Sequence, residues 1–559
     1  MPEKIPKYMR IYVSVFSFFF SISIALAQQT GKWGDQGDGT YRNPIIAGDY
    51  SDPDPIRVGD DYYMVTSTFQ ISPGVHVLHS RDLVNWETIG AVFSDVSKLG
   101  PNFNWDRMNN YNVGVYAPTI RYHDGKFWVF VNCYSGEGFW MATATNPAGA
   151  WSVTQIKDKN GKPMRTSGWS DPCPFWDEDG KAYLGSSKPG GIWYSYLFQM
   201  TPDGTQLLDA DVDSMNVFGT IKPWPYHGTA VSPVFSSEGN KVFKANGFYY
   251  LIHIEFLGEG KGTYVLRSKN IWGTKSDGSP GKPGDAGLYE KKKFADDIHI
   301  PGQGGFVMTA DGRWFWMAQF NRGSSDGRNT NLFPVVWVDG WPLPKADIWQ
   351  TLKPIKSNKI TLPQGSDEFN SKKLHPQWQW NYQPRADKWT LTERSGFLRL
   401  YAFRPIEKGK FFKAGNTLCQ RYLKSDTLVV TTKIEIAAMS NGQEAGMTHF
   451  NGGKNYANIG VIQKDGVRFL KYEEDGHEVI GLSLTNSITT IWFRSRVGFN
   501  DVNSYEYSLD GKSFLSFGGK YLLKWGNYRG DNIGIYTYNN EADAGYVDVD
   551  WFHYVIKNK

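Results

Sequence analysis

Asp124-Gly125-Lys126-Phe127-Trp128-Val129 is one of five related stretches that decide the fold of this 559-residue chain. The others are Gly59-Asp60-Asp61-Tyr62-Tyr63-Met64-Val65, Asp179-Gly180-Lys181-Ala182-Tyr183-Leu184, Asn246-Gly247-Phe248-Tyr249-Tyr250-Leu251 and Asp311-Gly312-Arg313-Trp314-Phe315-Trp316. Each joins a turn to a run of aromatic and aliphatic residues. Asp-Gly and Asn-Gly between apolar runs signal hairpins, because the tight turn needs positive φ angles that Gly and Asn tolerate. Gly59, Gly125, Gly180, Gly247 and Gly312 follow one another at intervals of 66, 55, 67 and 65 residues. That period suits one four-stranded antiparallel sheet with its loops, the unit of a β-propeller. The reading is all-β, with a five-bladed β-propeller over residues 28–342. An open sandwich would not repeat itself at this spacing.

Beyond Trp341-Pro342 the repeats stop. Residues 343–365 hold three Pro and are read as a linker. Leu398-Arg399-Leu400, Leu428-Val429-Val430, Tyr505-Glu506-Tyr507 and Val547-Asp548-Val549-Asp550-Trp551 then alternate as short strands. Residues 366–559 are accordingly expected to form a β-sandwich of jelly-roll or lectin-like type. At the other end, Lys4, Lys7 and Arg10 precede an apolar run from Ile11 to Leu26 that closes on Ala25-Leu26-Ala27. Basic start, short apolar middle and small–x–small end describe a signal peptide over residues 1–27. The expectation is export, to the periplasm in a Gram-negative source, with no membrane attachment after cleavage.

Composition narrows the function. The 60 Lys+Arg and 56 Asp+Glu are spread along the chain without a basic arm, which argues against a nucleic-acid partner. Three Cys (Cys133, Cys173 and Cys419) exclude a disulfide scaffold and a four-thiolate zinc site, and read as small buried hydrophobes. No His-Glu-x-x-His, Gly-x-Ser-x-Gly or Walker loop occurs, and the ten His form no metal-ligand spacing. No cofactor is required.

Three acids stand out. Asp171 lies nine residues before Gly180, Glu238 nine before Gly247, and Asp52 nine before Asp61 in the corresponding turn. The same offset gives Tyr116 in the second repeat and Gln303 in the fifth. Ser51-Asp52-Pro53-Asp54-Pro55 and Ser170-Asp171-Pro172-Cys173-Pro174 share the form S-D-P-x-P. The first strand of each propeller blade faces the axis, so equivalent positions converge there. Acids converging in an aromatic-rich, near-neutral chain suit glycoside hydrolysis, which needs one protonated and one ionised carboxyl. A third can raise the pKa of the acid by like-charge repulsion. Asp54, Asp60, Asp61, Asp177 and Glu178 are read as solvated turn residues; turn capping in Asp-Pro sequences is the rival account of Asp52 or Asp171 taken singly, but it does not account for three acids at one repeat offset.

With Asn43-Pro44-Ile45, Pro73-Gly74-Val75, Ser237-Glu238-Gly239, Val338-Asp339-Gly340-Trp341-Pro342 and Ser395-Gly396-Phe397-Leu398-Arg399-Leu400, these motifs make the chain resemble glycoside hydrolase family 43. The C-terminal part resembles the sandwich of its β-xylosidase and α-L-arabinofuranosidase members. The resemblance implies an inverting enzyme with Asp52 as general base, Glu238 as general acid and Asp171 as the residue that tunes and orients the acid. Arg328 matches the Arg that holds substrate hydroxyls, and Phe69 and Tyr116 match aromatic wall positions, core packing being an equally good account of each aromatic. Gln303 stands where many members carry an axial His beside an ion, so no metal is carried over. Asp548 and Asp550 are the sandwich's candidates for a structural calcium, solvent-facing acids being the other reading. The resemblance points to an exo-acting enzyme that removes pentoses from plant hemicellulose oligosaccharides. Gln70-Ile71-Ser72, departing from the Glu-Trp-Phe of the β-xylosidases, favours α-L-arabinofuranosidase over β-D-xylosidase. A non-catalytic carbohydrate-binding propeller is the alternative from another class.

Overall fold

The computed structural model describes residues 33–165, 169–188, 194–215, 229–232, 237–255, 262–295, 301–321, 323–526 and 528–557. Residues 1–27, expected to be a signal peptide, lie outside them. All five turn glycines sit at hairpin tips with φ between 63° and 83°. Each hairpin opens a four-stranded antiparallel sheet formed by consecutive segments. The first blade comprises Asp54–Val58, Asp61–Val65, Gly74–Ser80 and Glu87–Phe93, and the second Val115–His123, Lys126–Cys133, Gly138–Ala144 and Ser152–Gln155. The third comprises Ser170–Trp176, Ala182–Lys188, Tyr194–Met200 and Thr229–Ser232, and the fourth Ser237–Ala245, Phe248–Glu255, Gly262–Ser268 and Glu290–Ala295. Gly302–Met308, Trp314–Asn321, Arg328–Val338 and Trp341–Pro344 make the fifth.

The first strands touch their neighbours around a closed ring, the fifth packing on the first. Closure there is tight. Gly305 lacks a Cβ where one would stand 2.6 Å from Asp54 Oδ1, and its N–H donates to Pro53 O at 3.2 Å. Apolar side chains fill the seams, for instance Trp128, Phe130, Trp169 and Phe198 between the second and third blades. Burial of such large apolar faces, rather than any bond between blades, drives the ring together.

Leu343–Gly365 departs from a free linker. Its first two residues finish the fifth blade, and Gln350–Leu352 pairs with Thr40–Arg42 in a three-stranded sheet with Gly34–Asp35. Two seven-stranded antiparallel sheets follow. One runs in the order Gln379–Trp380, Asn416–Arg421, Asn532–Asn539, Gln443–Asn451, Asn455–Lys464, Val467–Glu474 and His477–Leu484. The other runs Trp389–Thr390, Leu398–Tyr401, Tyr546–Lys557, Thr427–Glu435, Thr490–Gly498, Val502–Ser508 and Leu515–Leu522. They face each other across a core that includes Met447, Ile459, Ile535, Val430, Phe493 and Phe552. The three cysteines are buried free thiols.

The calcium candidates are otherwise engaged. Asp548 accepts from Arg394 and Arg399, and Asp550 pairs with Lys433 at 2.6 Å. Among the described residues no three His, Cys, Asp or Glu gather as metal ligands. Asp54 is not solvated either. It is buried, bonding Arg121 Nη1 and the Ile120 N–H at 2.8 Å each.

Candidate active site

The inner strands bulge near one end of the ring, and the bulges build the site. In the third blade Ser170 pairs with Ser187 but Cys173 with Gly185, so Asp171-Pro172 faces a single residue. Gly239-Asn240 bulges likewise in the fourth blade, Ala117-Pro118 in the second, and Gln303 in the fifth. The first bulged residue is left-handed each time: Ala117 at φ 36°, Asp171 at 53°, Gly239 at 76° and Gln303 at 49°, as is Asp52 at 55°. A bulge re-aims a side chain, and Asp tolerates the left-handed region better than most residues do.

The bulges correct the common offset. They place Glu238 level with Ser170, one residue ahead of the Asp171 position, and Tyr116 is displaced in the same way. The hairpin loop has two residues in the second and fourth blades but five in the third and fifth. Counting from the turn therefore lands one step apart.

Asp52, Asp171, Glu238, Tyr116, Gln303 and Arg328 all line one cavity of about 290 Å³, with Asn132, Tyr134, Trp169 and Tyr528. Their surroundings differ. Arg328 donates to both oxygens of Asp52 at 3.2 Å and to Ser51 Oγ at 2.9 Å. Ser67 Oγ adds a bond to Asp52 Oδ2 at 2.5 Å. Bidentate guanidinium contact is the arrangement that suits a carboxylate. Asp171 Oδ2 instead accepts the Gly239 N–H and, at 3.2 Å, Gln303 Nε2. Burial pushes the Asp171 carboxyl up to about 6; the nearby charge of Asp52 adds to this, while the Gly239 N–H, Lys241 and Arg328 oppose it. An amide relay joins the two acids: Asp52 N–H donates to Gln319 Oε1 at 2.9 Å, Gln319 Nε2 to Gln303 Oε1 at 3.0 Å, and Gln303 to Asp171. Gln319 lies outside the repeat motifs, and nothing in the sequence singled it out.

Phe69 is the exception among the expected residues. Its ring is 1% exposed and lies behind the wall, edge-on to Tyr116 at 4.8 Å and 4.2 Å from the Arg529 guanidinium. Gln70, Ile71 and Ser72 are buried too, and tie into the sandwich. Gln70 Nε2 bonds Asn381 Oδ1 at 3.3 Å, and the Ser72 backbone pairs with Trp380. The segment expected to mark specificity does not line the cavity.

The sandwich itself supplies Tyr528 to the cavity. The next residue, Arg529, is buried and pairs with Asp49 at 2.8 Å. Burial opposes charge on Asp49, but Arg529, Arg421 and Arg328 outweigh it and hold the carboxyl below its usual range. Asp49 Oδ1 in turn accepts the Arg328 N–H at 3.4 Å, so the sandwich braces the arginine that grips Asp52.

The raised Asp171 pKa makes a stability prediction. The folded state binds this proton more tightly than the unfolded chain, where the value is 3.8. The group's contribution is therefore fullest below about pH 4 and is lost as pH rises to about 6. Asp171→Asn removes the titration, so its stability relative to wild type should grow between pH 4 and 7, by about 3 kcal/mol at most. Urea unfolding of both proteins at several pH values measures this. A difference constant with pH would refute the burial argument.

Three comparisons bear on this site. The profile of glycosyl hydrolases family 43 matches residues 41–342, and that of the beta xylosidase C-terminal concanavalin A-like domain matches 366–555. A beta-xylosidase of Formosa agariphila is 33% identical over 94% of this chain and 92% of its own. The non-reducing end alpha-L-arabinofuranosidase BoGH43B of Bacteroides ovatus is 28% identical over 92% of this chain and 94% of its own. The structure of a bifunctional GH43-CE protein of Bacteroides eggerthii superposes with a TM-score of 0.77 at 27% identity, covering 93% of this chain and 64% of that one.

Proposed function

Because this chain belongs to glycosyl hydrolases family 43, we propose that its cavity releases single pentoses from the non-reducing ends of plant hemicellulose oligosaccharides, inverting the anomeric carbon. Asp52 takes a proton from the attacking water, Glu238 protonates the departing oxygen, and Asp171 tunes and orients Glu238. Arg328 clasps both oxygens of Asp52 and reaches substrate hydroxyls from the cavity wall. The observation that carries this reading is the contrast between two carboxyls in one cavity: Asp52 clasped by a guanidinium, Asp171 buried and shifted to about 6. Inversion pairs a base with a protonated acid across a water, and a third carboxyl such as Asp171, set apart from the base Asp52 by its burial, supports the acid Glu238 by like-charge repulsion.

β-D-Xyloside is the first substrate to test, supported by the name of the 33%-identical Formosa relative. α-L-Arabinofuranoside is the second reading, supported by the Bacteroides relative. The Gln70–Ser72 cue no longer favours it, since those side chains are buried away from the cavity. Kinetics on the two 4-nitrophenyl glycosides side by side decide between them, and a tenfold or larger ratio of kcat/KM names the preferred sugar. Activity on neither, with measurable oligosaccharide binding, would instead make the protein a lectin. Residues 1–27 are proposed to direct export, which mass spectrometry would register as a mature chain beginning at Gln28.

A further inference from the structure

A row of buried polar side chains crosses the seam between the third and fourth blades, the two that carry Asp171 and Glu238. His253 stands opposite the Gly239-Asn240 bulge, since its neighbours Ile254 and Ile252 pair with Glu238 and Lys241. Both of its ring nitrogens are engaged. Nε2 lies 2.9 Å from Glu255 Oε1, and Nδ1 lies 3.1 Å from Ser195 Oγ in the third blade. Lys291 closes the far end on Glu255 at 2.6 Å. Ser195 then donates to Asn240 Oδ1 at 2.7 Å, and Asn240 Nδ2 to Ser187 Oγ at 2.5 Å. His253, Ser195, Asn240 and Ser187 are wholly buried.

The surrounding seam is packed by Leu197, Val242, Leu251 and Tyr264. An apolar filling would serve stability there at least as well as a polar one. What the polar row does is hold the bulge. Gly239 has no side chain, so Asn240 carries the bulge's polar anchor, clamped from both sides. Gly239 gives its N–H to Asp171, and Glu238 is the residue before it.

We propose that His253 and Ser195 are positioning residues that, through Asn240, fix the fourth-blade bulge and so set where Glu238 stands in the cavity shared with Asp171. This rests on Glu238 being the proton donor proposed above. Misplacing a donor by a fraction of an ångström slows the step that needs its proton and spares a step that does not. His253→Phe keeps the ring's bulk and removes both bonds. It should lower kcat/KM about 10- to 100-fold on a disaccharide of the preferred pentose, and only a few-fold on the 2,4-dinitrophenyl glycoside. Ser195→Ala should show the same split, and His253→Gln, which can still bond on one side, should recover part of it.

Glu238→Gln on the same two substrates is the control. Should it show no split, the acid assignment itself falls. Should it show the split while His253→Phe and Ser195→Ala, both folded by circular dichroism, lose both activities equally or neither, this inference alone falls. If His253→Phe does not fold, Ser195→Ala decides.

Discussion

Asp52→Asn should lower turnover by about 10⁴-fold, and equally on disaccharides and on dinitrophenyl glycosides. The amide keeps the shape of the side chain and a bond from Ser67, but it cannot take a proton from water. Attack by water is required whatever the leaving group, so an activated substrate gives no relief. The change also leaves Arg328, buried and otherwise matched to both Asp52 oxygens, facing a neutral partner. Steady-state assays on both substrate types check this. Turnover within tenfold of wild type on either would remove Asp52 from the role of base.

Glu238→Gln should separate the same substrates. Disaccharides leave as poor alkoxides and need the proton, so their kcat/KM should fall by about 10³-fold. Dinitrophenolate leaves unaided, and its glycoside should lose about tenfold or less. The alkaline limb of the pH profile should flatten for the variant, because deprotonation of the donor no longer matters. Equal losses on both substrates would contradict the assignment, whatever their size.

The propeller was legible because its signal is local. A two-residue turn at positive φ is written into Asn246-Gly247 or Asp124-Gly125 wherever it occurs, and five copies at one period leave little choice of fold. The acids were legible as residue types, but their alignment was not. A bulge of one or two residues leaves no mark in composition, and hairpin loops of two or five residues shift any count made from the tip. The sandwich was half visible. Thr490–Gly498 alternates between buried and half-exposed residues, and its sheet contains all four strands quoted from the sequence. Gln443–Asn451 is buried at every position. On the outer face of its sheet Phe411 packs over Phe450, Tyr456 and Tyr536, and Phe412 meets the propeller's Tyr111. A strand covered on both faces loses the period of two. Tyr528 and Arg529 were illegible because a loop residue acquires its meaning from what lies across a domain boundary. Phe69 was misplaced for the same reason, since the Arg529 ion pair covers it.

Synthesis order gives the Asp49–Arg529 pair one more meaning. A ribosome releases all five blades before it reaches Arg529, 480 residues downstream of Asp49. Until then Asp49 sits beside the backbone of Arg328 without its partner, and the cavity lacks the tyrosine that closes its rim. A chain that ends before Tyr528 therefore lacks both the brace behind Arg328 and one wall of the cavity.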